Sequence, residues 1–347
     1  MKKMRLCLLA VFAAVLTGCG PSQEVRDSLE SGMTALENGE YAQAKTYFEQ
    51  VADAGEYLTE AYRGQGIACM GENDLEGAVT AFDQALANTD DKMKQTRKDL
   101  FYYKASALYK EEDYSGASAV CDEILKLENE GQAHYMKGAC LLIQGDRENA
   151  ATEFKAAATL CPEDYEMLLD IYECYDEQDL SAEGDTYLQQ ALNIQGSGPD
   201  TAYQKGRIYY YLGEYDNAKA MLASAVENED ADCLLLMGRV YLKLDDTSHA
   251  RVMYQNYGEK YGETPESING LVLCDIAEGS YDSALSNIER GLALDGEKGK
   301  QELAFNAIAA LEKKGDFASA KEKAAAYVQE YPADEKGQRE YEFLQSR

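Results

Sequence analysis

Tryptophan is absent from the 347 residues, proline occurs five times and histidine twice, and 33 basic residues face 63 acidic ones, a formal balance of −30. Each shortage excludes something. So few Lys and Arg cannot supply the cationic footprint that phosphate contacts require, and a general nucleic-acid binder is ruled out. With five prolines, long stretches contain nothing that forbids a helix, and abundant Ala, Glu, Leu and Gln favour one. His134 and His249 stand far apart, and no His-Glu-x-x-His, Walker loop, Gly-x-Ser-x-Gly or Cys-x-x-Cys occurs. No motif places a general acid, base or nucleophile, so neither an enzyme nor a bound cofactor is expected. Acidic runs such as Glu227-Asn228-Glu229-Asp230 and Asp245-Asp246 lack the alternating ligands and internal Gly of a calcium loop, and read as solvated turns. His134 reads as a partly buried helix residue.

Hydrophobic residues make up 45% of the chain, spread through short amphipathic stretches, which argues against wholesale disorder. The exception is at the start. Lys2, Lys3 and Arg5 precede an apolar run from Leu6 to Leu16, with no acid before residue 20, as in a secretory leader. The run is too short to cross a bilayer, which takes about 20 residues. It closes with Leu16-Thr17-Gly18-Cys19, which closely resembles the lipobox of bacterial lipoproteins, cut before the Cys, which then carries lipid. That resemblance implies a leader over 1–18, lipid on Cys19 and a tether over 19–24. Removing the leader takes three positive charges with it, so an acidic body would be repelled by an anionic membrane surface and acyl chains must provide attachment. Gly20, in place of the Asp that retains such proteins in the inner membrane of two-membrane bacteria, implies the outer membrane there, and the outer face of the cell membrane in a one-membrane host.

The body has an internal period. The phrase Gly39-Glu40-Tyr41-Ala42-Gln43-Ala44, with Phe48 four residues past Ala44, recurs with markers at Ala78, Ala117, Ala150, Glu183, Ala218, Ala250, Ala284 and Ala320. The steps are 34, 39, 33, 33, 35, 32, 34 and 36. Twelve residues before the marker the chain favours Gly or Ala, as at Gly32, Gly66, Ala105, Gly138, Gly206 and Gly238; four after it stands an apolar or aromatic residue. Two short helices can cross closely where one lacks bulk, and the large residue of the second then fills the space against the next repeat. Gly39, Gly145, Gly213, Gly279 and Gly315 fall where a first helix must stop in a left-handed residue. Asp146, Glu214 and Asp316 follow and can start the second helix. Pro162 and Pro332, each twelve residues after its marker, end the second helix or open the next first helix.

This pattern resembles the tetratricopeptide repeat over about residues 24–332. It implies an all-α chain, a right-handed α-solenoid of about nine helix-turn-helix repeats, closed by a capping helix over 334–347. The fifth copy departs from the pattern, lacking both small residues and having Gln178-Asp179-Leu180 as its turn, and Gly196-Ser-Gly-Pro-Asp200 is the most loop-like stretch of the body. A joint at about 178–200 would divide the array into 25–195 and 196–347. The long step puts about five extra residues near 88–98, as an extended loop or a lengthened helix. Seven cysteines remain in the body, an odd number at irregular spacing. They read as small buried hydrophobes rather than a disulfide framework, and hint at a host that lives where oxidation is weak.

In this family the first helices line a concave face, with residues fifteen and eleven before the marker turned towards it and those eight before standing next to them. Carried over, these positions give Tyr102, Tyr109, Tyr135, Tyr172, Tyr175, Tyr203, Arg207, Tyr210 and Arg239 as candidate peptide-binding residues. A rigid ring offers contact area at low entropic cost, and a guanidinium forks onto a carboxylate. The expectation is that Arg207 and Arg239 form a pair gripping a partner's carboxylate; the competing reading packs the rings between helices and pairs the arginines with neighbouring acids such as Asp232. The whole implies a lipid-anchored extracytoplasmic scaffold or assembly factor for other envelope proteins or peptides. The alternative is a lipoprotein that gathers a saccharide or other small molecule in the Tyr-lined groove.

Overall fold

The computed structural model describes residues 22–226 and 230–346; the leader, Cys19 and most of the Glu227–Asp230 run lie outside them. Among the described residues all regular structure is helical. Nine hairpins succeed one another: α1 Gln23–Glu37 and α2 Tyr41–Asp53, α3 Leu58–Gly71 and α4 Leu75–Ala87, α5 Lys94–Lys110 and α6 Tyr114–Leu127, α7 Gly131–Ile143 and α8 Arg147–Leu160, α9 Tyr165–Asp176 and α10 Ser181–Leu192, α11 Pro199–Tyr211 and α12 Tyr215–Val226, α13 Ala231–Lys243 and α14 Thr247–Tyr261, α15 Pro265–Ala277 and α16 Tyr281–Leu292, α17 Lys300–Lys314 and α18 Phe317–Glu330. A last helix, α19 Glu335–Gln345, follows unpaired. Ser22 caps α1, so the helix reaches two residues into the segment read as a tether.

The chain forms two compact units: one extends to Pro162 and includes Glu173–Ser181, and the other comprises Glu163–Tyr172 and Ala182–Arg347. Within the first, each helix from α1 to α8 packs on the next, and α3 touches both α1 and α5. Within the second, the same succession runs from α11 to α19, with contacts between α11 and α13, α13 and α15, and α15 and α17. First helices meeting first helices of neighbouring hairpins is the packing of an α-solenoid, in which no hairpin buries its apolar side alone.

The small residues work as their spacing predicts. Every marker Ala is fully buried. A Cβ added to Gly66 would stand 2.4 Å from the Phe82 ring, and one on Gly238 2.6 Å from that of Tyr254. Phe48 is gripped from two sides, by Gly32 of its own hairpin and by Gly64 of the next, where an added Cβ would approach to 2.9 and 2.4 Å. At the turns Gly145 takes φ +83°, and the equivalent Asn73, Glu112, Asp179 and Asp245 adopt φ between 56° and 66° without being glycine. Asp74, Asp113, Asp146, Asp246 and Asp316 then each accept the backbone N–H three residues on, capping the second helices. Glu214 accepts from the Asn217 side chain instead, at 2.7 Å.

The fifth hairpin corrects the alignment. Here α10 buries Gly184, Leu188 and Ala191, while Glu183 is exposed. The bond that closes the turn, Asp146 N–H to the Leu141 carbonyl at 2.9 Å in hairpin four, recurs as Leu180 N–H to the Tyr175 carbonyl at 2.9 Å. The marker is therefore Gly184, and only the first helix lacks its small residue: Tyr172 stands where Gly138 stands in hairpin four. A turn without Gly hid the one-residue slip. The long step between hairpins two and three is absorbed both ways, by the connection 88–93 and by α5, whose 17 residues make it the longest described helix. Finally, α19 buries Gly337 and Leu344 but leaves Glu342 and Gln345 exposed, the polar outer side that ends a repeat array.

Candidate functional site

In each unit the first helices carry candidate side chains whose environments separate them sharply. Tyr102, Tyr109, Tyr135, Tyr203 and Tyr210 are half-buried, whereas Tyr172 and Tyr175 are 5% and 4% exposed. The shift of the marker to Gly184 explains the second group, since it moves these two rings to twelve and nine residues before it, on the side that packs between helices. Tyr175 lies 5.2 Å from the Phe154 ring, and Tyr172 lies 5.3 Å from Tyr211. The corrected register puts Glu173 and Asp176 at the candidate positions in their place.

Each half-buried tyrosine is also anchored. Tyr102 donates its hydroxyl to Glu130, whose other oxygen accepts from Lys98 at 2.9 Å. Burial, then the Glu130 carboxylate, push the Tyr102 phenol well up. Tyr135 accepts from the Cys174 thiol at 3.6 Å. Tyr109 meets Tyr114 edge to face at 5.3 Å, and Tyr210 lies 5.7 Å from Tyr215. Tyr203 lies under the Arg207 guanidinium, 5.8 Å from ring centre to Cζ, and burial pushes its phenol up to about 12.

The two arginines do not join in a grip. Arg207 is 7% exposed, and its Nη1 donates to Glu166 at 2.6 Å and to Gln204 at 2.9 Å. Its Nη2 is buried without an acceptor among the described residues. Arg239 is exposed and donates to Glu266. One therefore turns to the hairpin before it and the other to the hairpin after it, and the acids are Glu166 and Glu266 rather than Asp232. Sequence reading missed these acids, although a signal existed: Glu166, Asp200, Asp232, Glu266 and Glu302 all stand eighteen residues before a marker once Gly184 replaces Glu183. A carboxylate in the first turn of a helix is favoured by the dipole, which is why the row is acidic.

Elsewhere, His134 is a partly buried helix residue, bonded to Glu153 and Asn129. Cys69, Cys121, Cys140, Cys233 and Cys274 are buried free thiols, and burial pushes Cys140 and Cys233 up to about 12. Among the described residues no group of three or more His, Cys, Asp or Glu could hold a metal ion, and no helix is long and apolar enough to cross a membrane. A cleft of about 620 Å³ at the long step is lined by Leu86, Thr89, Asp90, Arg97 and Phe101, away from the tyrosines named above.

Two units of successive helical hairpins, with anchored aromatic side chains on their first helices, define a class: helical-repeat proteins. The family follows directly. Models of the tetratricopeptide repeat match residues 29–92, 101–165, 199–230 and 232–264, together more than half of the chain, which belongs to that family. Among curated proteins none matches it in sequence. Among solved structures, a tetratricopeptide repeat protein from Parabacteroides merdae is similar at a TM-score of 0.52 and 10% identity, over 73% of this chain and 99% of that one. Yeast Tom70 is similar at 0.50 and 14% identity, over 92% of this chain and 88% of that one. At these identities the likeness concerns the fold.

Proposed function

We propose that this protein is a lipid-anchored, extracytoplasmic adaptor that binds other envelope proteins or peptides along the first helices of its repeats. The observation that carries the reading is the half-buried tyrosines of the first helices, Tyr102, Tyr109 and Tyr135 in one unit and Tyr203 and Tyr210 in the other, where Arg239 is exposed as well. Their rings are fixed by packing, so contact with a partner costs little further side-chain entropy. Arg239 adds a cation to a chain whose formal balance is −30. Arg207 and the two buried tyrosines support these side chains from within and are not offered to a partner. Anchoring rests on the basic, apolar leader and on Leu16-Thr17-Gly18-Cys19, which resembles the lipobox.

Two experiments test the parts separately. A photo-cross-linking residue placed at Tyr135 or Tyr203 in living cells is expected to capture defined neighbours, identified by mass spectrometry, that the same residue at exposed Thr46 or Ser224 on second helices does not. Equal capture from both faces removes the binding reading. Cys19→Ser is expected to move the protein from the membrane to the soluble extracytoplasmic fraction; full retention on the membrane removes the anchor and leaves the binding reading standing.

A further inference from the structure

Asparagine is thermolabile, and most so before glycine, where no side chain hinders the next backbone nitrogen from reaching the asparagine side-chain carbon. Two such pairs occur in this chain, Asn38-Gly39 and Asn269-Gly270. As sequence they rank alike. The fold separates them.

Asn38 caps the end of α1, and Gly39 turns the chain towards α2; both are exposed. Asn88 and Asn193, which directly follow α4 and α10, are tied down by bonds from their side-chain amides to the Gln84 and Gln189 carbonyls at 2.8 and 3.0 Å. Among the described residues Asn38 makes no such bond. Gly39 takes φ +74°, and a Cβ added to it meets nothing within 4 Å. Two backbone bonds close the turn, Gly39 N–H to the Leu36 carbonyl at 3.1 Å and Glu40 N–H to the Ala35 carbonyl at 2.8 Å. The Glu40 side chain adds no cap to α2. Asn269 has the opposite setting. It lies half-buried within α15, where its Oδ1 accepts from Asn306 Nδ2 at 2.7 Å. Gly270 is buried against Tyr254, whose ring would stand 2.3 Å from an added Cβ. Ring closure requires the backbone to leave the helical conformation. At Asn269 that opens a helix packed on α13, α14, α16 and α17; at Asn38 it opens only the turn of the first hairpin.

We propose that Asn38 is a site of spontaneous deamidation that loosens the first hairpin, while the fold protects Asn269. The Gly39 nitrogen loses its proton and bonds to Cγ of Asn38; the side-chain nitrogen takes up a proton and leaves as ammonia, and a succinimide ring remains. Water then opens the ring at either carbonyl. One product is aspartate on the ordinary main chain; the other is isoaspartate, whose main chain runs through the former side chain and is one carbon longer. Neither needs an oxidant or a reductant. Both place a carboxylate at the C-terminal end of α1, beside Glu37 and Glu40, where the helix dipole disfavours it and no basic residue stands in the last turn. The isoaspartyl link also breaks the spacing of the two bonds that close the turn. Because repeats couple to near neighbours, the loosening stays in α1 and α2.

Ageing of the full chain in mildly alkaline buffer, followed by peptide mapping, tests the site. Trypsin cuts after Arg26 and Lys45, and Asn38 is the one asparagine of the peptide between them. That peptide is expected to give way to two products of equal mass, each heavier by the difference between an amide and an acid. In the folded protein Asn38 is expected to convert at least about tenfold faster than Asn269, and in urea the two are expected to convert at similar rates, since local opening no longer limits either. Equal rates in the folded protein, or conversion of Asn38 only after unfolding, overturn the site. Hydrogen exchange reads the consequence: α1 and α2 of aged protein are expected to exchange faster than those of fresh protein. Asn38→Gln, whose longer side chain closes a ring slowly, is expected to age without that change. Unaltered exchange in converted wild type, or the same acceleration in aged Asn38→Gln, overturns the loosening.

Discussion

Single residues pay the steric cost of this fold where the sequence departs from glycine, and gain closeness where it keeps it. Glu112 is exposed and sits at φ +66°, in the left-handed region that costs an ordinary L-residue roughly 1–2 kcal/mol. Glu112→Gly is expected to stabilise the protein by about 1 kcal/mol, less the extra entropy of the unfolded chain, and Gly145→Ala, at φ +83°, to destabilise it by a similar amount. Chemical denaturation midpoints check both signs. At Gly66 the constraint is space. With the Phe82 ring 2.4 Å from an added Cβ, Gly66→Ala is expected to cost about 1–3 kcal/mol. Phe82→Leu should recover part of that loss in the double variant, because the two side chains compete for one volume. Additive losses would show that the contact is not the cause. The turn glycines and the small–large pairing were legible in the sequence, since each is fixed by local geometry. The register of the fifth copy was not: Asp179 adopts φ +56° without announcing itself, and a one-residue slip followed.

Between elements, one clasp recurs at equivalent positions in two places. Arg251, one residue past its marker, donates to Asp275 at 2.9 Å and to Glu278 at 2.9 Å. Lys45, one past its own, bonds Glu72 at 3.1 Å, but the position equivalent to Asp275 is Cys69. Asp275 is 3% exposed and fully engaged, with Ser283 and Asn287 donating to its second oxygen at 2.9 and 2.7 Å. It ties α14, α15 and α16 together. Removing a buried charge leaves its partners without theirs, so Asp275→Ala is expected to cost about 3 kcal/mol or more. Hydrogen exchange would locate the loss in α14–α16, with α1–α8 unaffected because repeat arrays couple only near neighbours. Loss spread evenly over the chain would contradict this. The sequence identifies the helices that carry these groups. It does not show that an acid nine residues before one marker meets a base one residue after the previous marker.

For the whole molecule, burial of thiols and phenols makes stability sensitive to alkali. Burial pushes Cys140, Cys233 and Tyr203 up to about 12 and Cys274 up to about 11. The unfolded chain releases these protons from about pH 8.5 to 10. Above that range the folded state holds more protons, so its stability declines as pH climbs towards 12. Under reducing conditions the thermal midpoint is expected to fall between pH 8 and 10.5; a flat or rising midpoint would refute the assignment. The sequence alone determined the helical class, the nine hairpins and the polar closing helix, because a 34-residue period of small and large residues can be satisfied only by stacking. Tertiary structure decided which side chains of the first helices face outward. A shift of one residue turns a helix by about 100°, enough to carry Tyr172 and Tyr175 from the open row into the packing. The partners of Arg207 and Arg239 were likewise settled only when neighbouring hairpins came into contact, since an ion pair between repeats depends on spatial juxtaposition that no local spacing records.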